Sequence, residues 1–300
     1  MDSHEKKIIA KGLRIAESVM SEEDRIWSRY SSDKIDIGES LANVIRTLSK
    51  ELPLGRPMTA LSIGSSNEPQ FRILETAFQR GLFLVDIEKE ALDIVRERIA
   101  RQWTGHVDTI RADYNKILSD VDRTRRFAKT GLRGRRVELV TLHHSLYYSS
   151  ESDWPRYMEN ICRYLLAPVG AVHAVLMAAT TRETGTTSWL YEHFAGRFCG
   201  HHNTQDLMAF GRAIARDPLY AGAVIRAKRS RVYFFVEDFE KFMAVVWMIL
   251  LYPNVHRYTH EQREEIAHFM YATFWKKKKP LVQVQDHLAI YKGISGKGLI

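Results

Sequence analysis

The segment from Thr59 to Ala100 constrains the fold most, because it alternates a strand, one glycine, a helix and a second strand that ends in an acid. The first apolar run, Thr59-Ala-Leu-Ser-Ile, stops at Gly64, and the second, Gly81-Leu-Phe-Leu-Val, stops at Asp86. Glycine lets the backbone turn tightly beneath a ligand, and an acid at the end of the second strand accepts the hydroxyls of a ribose. The segment therefore predicts a nucleoside-binding βαβ unit.

The turn after the first strand does not suit a dinucleotide. It lacks the second and third glycines of the G-x-G-x-x-G fingerprint. Glu68 stands where a pyrophosphate would meet the helix N-terminus, and its charge suits the helix dipole but repels an anion. A cationic or zwitterionic nucleoside fits better, and S-adenosylmethionine is such a ligand, with a sulfonium, an ammonium and no phosphate.

At these residues the chain resembles the class I S-adenosylmethionine-dependent methyltransferases. Leu61-Ser-Ile-Gly64 is similar to the first motif of that family and Val85-Asp86-Ile-Glu to the second. Val107 to Tyr114 resembles the third strand with the acid that faces the adenine, and Val137 to Tyr148 resembles the fourth strand, whose end lies beneath the transferring methyl group. A narrower likeness, carried by the Leu-Ser-Ile-Gly opening and by the strand and long helices of the C-terminal half, is to histamine N-methyltransferase and its relatives.

The alternation of strands and helices from Met58 to Met177 predicts a parallel sheet with right-handed crossovers. With the resemblance, this implies an α/β fold: a Rossmann-like, seven-stranded, mostly parallel sheet with helices on both faces, an N-terminal helical cap and a C-terminal helical insertion before the last strand. The implied domains are the cap at 1–54, the cofactor-binding core at 55–178, and a helical substrate region at 179–300 that includes the last two strands.

The resemblance also implies a set of site residues. The predicted cofactor-binding residues are Gly64, Ser65, Ser66, Glu68, Asp86, Ile87, Asp113, Tyr114 and His143. The predicted catalytic residues are His143, His144 and Tyr147, and the predicted acceptor-binding residues are Tyr30, Tyr147 and Tyr148.

The chemistry of these residue types supports such roles. An imidazole titrates near neutral pH and can take a proton from the acceptor, and an aromatic ring attracts an ammonium. Adjacent strand residues face opposite ways, so only one of His143 and His144 points easily into the site. Structural alternatives stay open: a hydrogen-bonded core histidine beside a solvated one, a helix-capping role for Glu68, and a packing role for Tyr30.

Length and composition agree with a globular enzyme. The chain has 300 residues, of which 45% are hydrophobic and 27% charged. Its cysteines, Cys162 and Cys199, match no disulfide framework or metal spacing, and no metal is predicted at His201-His202 either. The polar N-terminus has no signal-peptide core and the longest apolar run is too short to span a bilayer, so we expect a cytoplasmic protein without membrane insertion.

Helical patterns are predicted over Lys6–Met20 and Ile37–Leu52, separated by the polar stretch around Tyr30. Farther along, helices are predicted over Glu183–Phe198, Gln205–Arg216, Phe239–Leu251 and Thr259–Trp275, and strands over Arg229–Val236 and Leu281–Lys292. Thr259 and Gln262 form a capping-box signal.

Three function hypotheses follow. The first is a methyltransferase that moves a methyl group to nitrogen or oxygen of a small-molecule acceptor by in-line displacement; aminopropyl transfer is a less favoured variant. The second is a protein or RNA methyltransferase that uses the basic clusters behind the net charge of +8. These clusters are Arg123 to Arg136, Arg226 to Arg231 and Lys276 to Lys279. The third is a non-catalytic relative whose single-glycine turn no longer holds the nucleoside.

Overall fold

The structure, a computed structural model, describes residues 2–14, 20–53, 55–64, 66, 68–250 and 257–294. The strands are β1 Thr59–Ile63, β2 Gly81–Asp86, β3 Val107–Arg111, β4 Val137–His143, β5 Leu166–Met177, β6 Val224–Phe234 and β7 Leu281–Lys292. The helices are α1 Ser3–Gly12, α2 Met20–Tyr30, α3 Asp33–Glu51, α4 Phe71–Ala77, α5 Lys89–Gln102, α6 Tyr114–Leu118, α7 Val121–Thr130, α8 Trp154–Asn160, α9 Thr187–Tyr191, α10 Arg197–Cys199, α11 Leu207–Ile214, α12 Phe239–Ile249 and α13 His260–Met270. Wider π-helical turns over Ile161–Leu165, Glu192–Gly196 and Tyr271–Trp275 extend α8, α9 and α13.

The strands form a seven-stranded sheet in the order β3-β2-β1-β4-β5-β7-β6. β1 pairs in parallel with β2 and with β4, and the parallel pairing continues outward to β3 and β5. The order in which successive strands are added reverses between β1 and β4: β2 and β3 lie on one side of β1, and β4 and β5 lie on the other. This is the switch point at which open α/β sheets bind ligands, beyond the carboxyl ends of the strands.

Alternate side chains of the central strands fill two separate cores. Leu61, Phe83 and Val140 pack with the helices that follow β3 and β4. Their neighbours Ala60 and Leu82 pack with α3, α4 and α5 in a second core. Strand periodicity explains the split, because successive residues point to opposite faces. The predicted mostly parallel sheet with helices on both faces is confirmed.

The chain divides into two compact units. One comprises Met1–Lys34, Met177–Thr204 and Ser230–Gln285, and the other comprises Ile35–Leu176, Gln205–Arg229 and Asp286–Ile300. The first has an aromatic core of its own, in which Trp247 Nε1 donates to the Gly12 carbonyl at 3.0 Å. The second contains the sheet residues named below as the site. The division into cap, core and substrate region at 1–54, 55–178 and 179–300 stays a prediction.

Several predicted boundaries were wrong. The segment between the two predicted helical patterns contains the helix α2, whose Glu22 and Glu23 favour a helix start although they break the apolar pattern. β6 begins at Val224, before the predicted Arg229, because an exposed edge strand tolerates a run of basic residues that hides its strand pattern. The capping box is present, with Thr259 Oγ1 accepting from Gln262 N.

In the described part of the chain, none of the helices combines the length and apolar character that crossing a membrane requires.

Candidate functional site

The turn after β1 needs glycine. Gly64 has φ +63°, and its N–H donates to the Val85 carbonyl at 2.7 Å. A Cβ at this position would lie 2.8 Å from Cβ of Ser145, the residue that follows His144. The close approach leaves no room for a side chain, so Gly64 brings the end of β1 against the segment after β4.

Asp86, the last residue of β2, is 8% exposed. Its carboxylate accepts from Ser66 N at 3.0 Å and from Glu88 N at 2.9 Å, which ties the turn after β1 to the turn after β2. Burial raises the pKa of Asp86, and the backbone N–H groups oppose that rise. A carboxylate has about four lone-pair sites, so acceptor capacity remains beyond these bonds. Ile87 beside it is 59% exposed, an apolar side chain presented to solvent at the same edge.

Glu68 is 1% exposed and points back into the turn. Ser62 Oγ donates to its Oε2, and Gln70 N donates to Oε1 at 3.1 Å at the start of α4. Arg98 donates to the Glu68 carbonyl at 3.2 Å. These bonds connect the Glu68 side chain to β1 and to Gln70, the N-cap residue of α4, and a contact of Glu68 with a ligand stays a prediction.

Asp113 and Tyr114 lie where β3 ends. Asp113 caps α6, with Oδ1 accepting from Asn115 N at 3.0 Å. Tyr114 is buried, and its hydroxyl donates to the Ser145 carbonyl at 2.6 Å. Burial raises the pKa of Tyr114, so the phenol stays neutral at physiological pH. Tyr114 therefore connects the end of β3 to the segment after β4.

His143 belongs to a buried polar cluster. Its Nε2 shares a hydrogen bond of 2.9 Å with Nδ1 of His173 on β5, and His173 Nε2 lies 3.2 Å from Ser40 Oγ on α3. The ring of His287 on β7 stacks on that of His173, with 5.8 Å between the ring centroids, and His287 Nε2 donates to Asp36 Oδ2 at 2.8 Å. His143 is thus surrounded by the interior of the sheet and α3.

His144 is in a different environment. It has φ +54°, is half-buried, and its Nδ1 shares a hydrogen bond of 3.2 Å with the hydroxyl of Tyr147, on which it stacks. Tyr148 is 42% exposed. His144, Tyr147 and Tyr148 form one continuous polar-aromatic segment after β4.

No protein-family model matches the sequence, and no curated protein is significantly similar to it. Solved structures do match the fold. The YcgJ protein of Bacillus subtilis is 10% identical with a TM-score of 0.50, covering 84% of this chain and 99% of that one. A protein of Galdieria sulphuraria, provisionally assigned as a sarcosine dimethylglycine methyltransferase, is 13% identical with a TM-score of 0.50, covering 86% of both chains.

The chain has the class I methyltransferase fold. This confirms the predicted resemblance at the level of fold, while the likeness to histamine N-methyltransferase stays a prediction.

The site residues of this class I fold suit the nucleoside that the sequence predicts. The Gly64 turn approaches Ser145 too closely for a side chain, and Asp86 keeps acceptor capacity at the end of β2. The hydroxyls of Ser66 and Ser145 are buried and have no hydrogen-bond partner among the described residues, so both keep hydrogen-bonding capacity beside the Gly64 turn.

Two of the predicted site residues, Ser65 and Tyr30, stay predictions for different reasons. Ser65 lies outside the described residues. Tyr30 ends α2 in the other compact unit, where it packs against that unit's aromatic core and lies under the guanidinium of Arg29. Its contact with an acceptor stays a prediction.

Sequence reasoning missed the residues that support the site. His173 and His287 are polar residues inside apolar strands, and that pattern was the available signal for the buried cluster. Asn115 and Gln205 contact the segment after β4, and no motif or periodicity marks them.

Acidification is expected to destabilise the histidine cluster. Burial, together with the positive charges that His143, His287 and Lys228 can carry, holds the pKa of His173 well below its usual 6.5. Because the pKa of His173 is lower in the folded than in the unfolded protein, the unfolded state binds the proton first as the pH falls. The free energy of unfolding is therefore highest above about pH 6.5 and decreases below it, by up to about 1.4 kcal/mol per pH unit.

Denaturant unfolding from about pH 8 to about pH 5 measures this slope. His173→Gln is expected to lower stability at the alkaline end and to flatten the slope. His106→Gln, which changes a histidine outside the cluster, should keep it. An unchanged slope in His173→Gln would contradict the assignment.

Proposed function

We propose that the protein is an S-adenosylmethionine-dependent methyltransferase with a small-molecule acceptor. The observation that carries the proposal is the link from Ser66 N to the Asp86 carboxylate at 3.0 Å. This bond joins a glycine turn to a buried acid at the ends of adjacent parallel strands. Burial of a carboxylate costs folding free energy, so a buried acid at this position is better explained by ligand binding than by stability. Folds of this kind bind ligands at this edge of the sheet.

The cofactor supplies an activated methyl group when it is bound, and the chain's residues hold and orient it. Asp86 accepts hydrogen bonds from the ribose hydroxyls. The Gly64 turn lets backbone come close, Ile87 offers apolar surface to the adenine, and Asp113 accepts from the adenine amine. Because methyl transfer needs donor and acceptor in line, positioning of this kind accounts for most of the rate.

We assign the acceptor side to His144 and Tyr147. His143 is 4% exposed and committed to His173, whereas His144 is half-buried and presented beside the aromatic segment. In this assignment His144 takes a proton from the acceptor, Tyr147 orients the imidazole through their shared hydrogen bond, and Tyr148 offers a ring face to a cationic group. His143 supports the end of β4.

A small acceptor is favoured over a nucleic acid by the internal use of the first basic cluster. Arg133 pairs with Asp108 at 2.7 Å, and Arg136 donates to the Leu166 carbonyl. Arg125 lies 4.8 Å from the ring centroid of Tyr164. Arginines held in this way have less freedom to follow a phosphate backbone.

Release of S-adenosylhomocysteine, assayed with pools of amines, phenols, acidic peptides and RNA, tests the proposal. We expect turnover with a small-molecule pool that changes little with salt; turnover with RNA alone, falling steeply with salt, would favour the second hypothesis.

His144→Gln is expected to lower kcat about a hundredfold with the acceptor that this screen identifies, because removal of a general base has an effect of that order. Cofactor affinity should change less than about twofold, since His144 is placed on the acceptor side. His143→Gln is the matched variant, and it should lower the melting temperature with a smaller effect on kcat. The reverse ranking of the two variants in kcat would contradict the assignment.

A further inference from the structure

The turn that follows His144 is fixed by its backbone oxygens. Each of the carbonyl groups from Ser145 to Ser149 accepts a hydrogen bond from a side chain. The donors are Tyr114 Oη to Ser145 O at 2.6 Å, Ser149 Oγ to Leu146 O at 2.9 Å, Asn115 Nδ2 to Tyr148 O at 3.0 Å, and Gln205 Nε2 to Leu146 O, Tyr147 O and Ser149 O at 3.2, 3.3 and 2.8 Å. Three residues of this turn, Ser145, Leu146 and Ser149, are buried, and buried carbonyl groups need hydrogen-bond donors from the protein.

Gln205 makes the most contacts of these donors. Its two amide protons are shared among three carbonyl oxygens, so the side chain fits only one arrangement of the turn. It directly precedes Asp206, which caps α11 through Ala209 N at 2.8 Å and so fixes the backbone beside Gln205. The Gln205 amide is therefore held beside the start of a helix, α11, and helices position functional groups more precisely than loops do.

Asn115 gives the same turn a second connection. Its backbone N–H is held by Asp113 at 3.0 Å, its Nδ2 donates to Tyr148 O, and its Oδ1 accepts from Tyr157 Oη at 3.1 Å. The turn is thus held from the end of β3 on one side and from α11 on the other. Loss of the Asn115 bond leaves the Gln205 bonds in place, whereas loss of Gln205 removes three bonds at once and leaves the carbonyls of Tyr147 and Ser149 without a side-chain donor.

We propose that Gln205 is a positioning residue that holds the Ser145–Ser149 turn in the conformation in which His144 and Tyr147 share their hydrogen bond. The proposal rests on the proposed function only in treating this turn as the acceptor side. Gln205 acts through the backbone of the turn, to which its amide donates. Because a misplacement of about 1 Å can lower a rate by about two orders of magnitude, the turn's rigidity matters for kcat more than for cofactor binding.

Gln205→Glu tests the proposal. The substitution keeps the size of the side chain but replaces the donor by a carboxylate that repels the three carbonyls. Gln205→Met is the uncharged second variant and carries the comparison if Gln205→Glu does not fold. Asn160→Asp is the matched control, since it makes the same chemical change at a buried amide that donates to Leu118 O at 2.7 Å in the same compact unit.

The readouts are the imidazole resonances of His144, assigned with His144→Gln, their pH titration, and calorimetric titration with S-adenosylmethionine. We expect the Gln205 variants to shift the His144 resonances and to move the titration midpoint by about 0.5 pH unit, because the Tyr147 bond is loosened. Asn160→Asp should lower the melting temperature alone. Cofactor affinity should stay within about twofold in all three variants.

Unchanged His144 resonances in a folded Gln205 variant would overturn the proposal. An equal shift in Asn160→Asp would overturn it as well, because general loosening would then explain the effect. Absence of S-adenosylmethionine binding by the unsubstituted protein would instead refute the proposed function. The resonances of His144 would still decide the role of Gln205 in that case.

Discussion

Replacing Asp86 by alanine is expected to weaken S-adenosylmethionine binding by at least about a hundredfold. Two charge-assisted hydrogen bonds to the ribose hydroxyls contribute about 1.5 kcal/mol or more each, and their loss amounts to about 3 kcal/mol. Calorimetric titration of both proteins measures the difference. Asp108→Ala is the control. Asp108 lies on the neighbouring strand β3, opposite Phe83 of β2, and its carboxylate forms an ion pair with Arg133.

The same carboxylate gives the affinity a pH dependence. Burial raises the pKa of Asp86, so its protonated form persists at a higher pH than is usual for aspartate. Because the pKa of Asp86 is higher in the folded protein than the 3.8 of the unfolded chain, its contribution to stability is greatest below pH 3.8. That contribution is lost as the pH rises through the folded pKa. Ionised Asp86 therefore weakens the fold at neutral pH.

We expect cofactor affinity to fall on acidification, because the protonated carboxyl accepts fewer hydrogen bonds. We also expect Asp86→Ala to lower the melting temperature little. Binding that survives the substitution would contradict the role of Asp86.

Gly64→Ala is expected to lower both stability and cofactor affinity. A side chain at φ +63° costs about 1 to 2 kcal/mol, and the new Cβ would meet Ser145 Cβ at 2.8 Å, which forces the two turns apart. Denaturant unfolding should show a loss of about 2 kcal/mol or more, and calorimetry should show weaker binding of S-adenosylmethionine.

Gly134 provides the control for the collision. Its φ is +72°, but a Cβ there would have no atom within 4 Å. Gly134→Ala therefore carries the backbone strain alone, so it should destabilise less and leave cofactor affinity unchanged. Equal losses of stability and equal affinities in the two variants would show that the approach to Ser145 is unimportant.

The central part of the fold could be predicted because its signals are local. β1 and β2 are short, fully buried runs, and each ends at a residue with its own chemical meaning, Gly64 and Asp86. Parallel strands joined by right-handed crossovers then bring such ends to one edge of the sheet. The start of α2 and the early start of β6 were missed, because acidic and basic side chains on exposed elements hide the apolar periodicity on which prediction depends.

The interior of the site could not be predicted in the same way. Whether His143 or His144 is buried depends on packing across β4, β5 and α3, between residues more than a hundred positions apart such as Ser40 and His173. Gln205 reaches the turn after β4 from 56 positions away. Such contacts leave no periodic or compositional trace in a single sequence, so they appear only when the chain is folded.

Calorimetric titration of the unsubstituted, cofactor-stripped protein with S-adenosylmethionine measures whether the site binds this nucleoside at all. We predict saturable binding to one site per chain, with an affinity in the micromolar range. A folded protein that binds no S-adenosylmethionine would contradict the methyltransferase proposal and would favour a non-catalytic protein that keeps the fold.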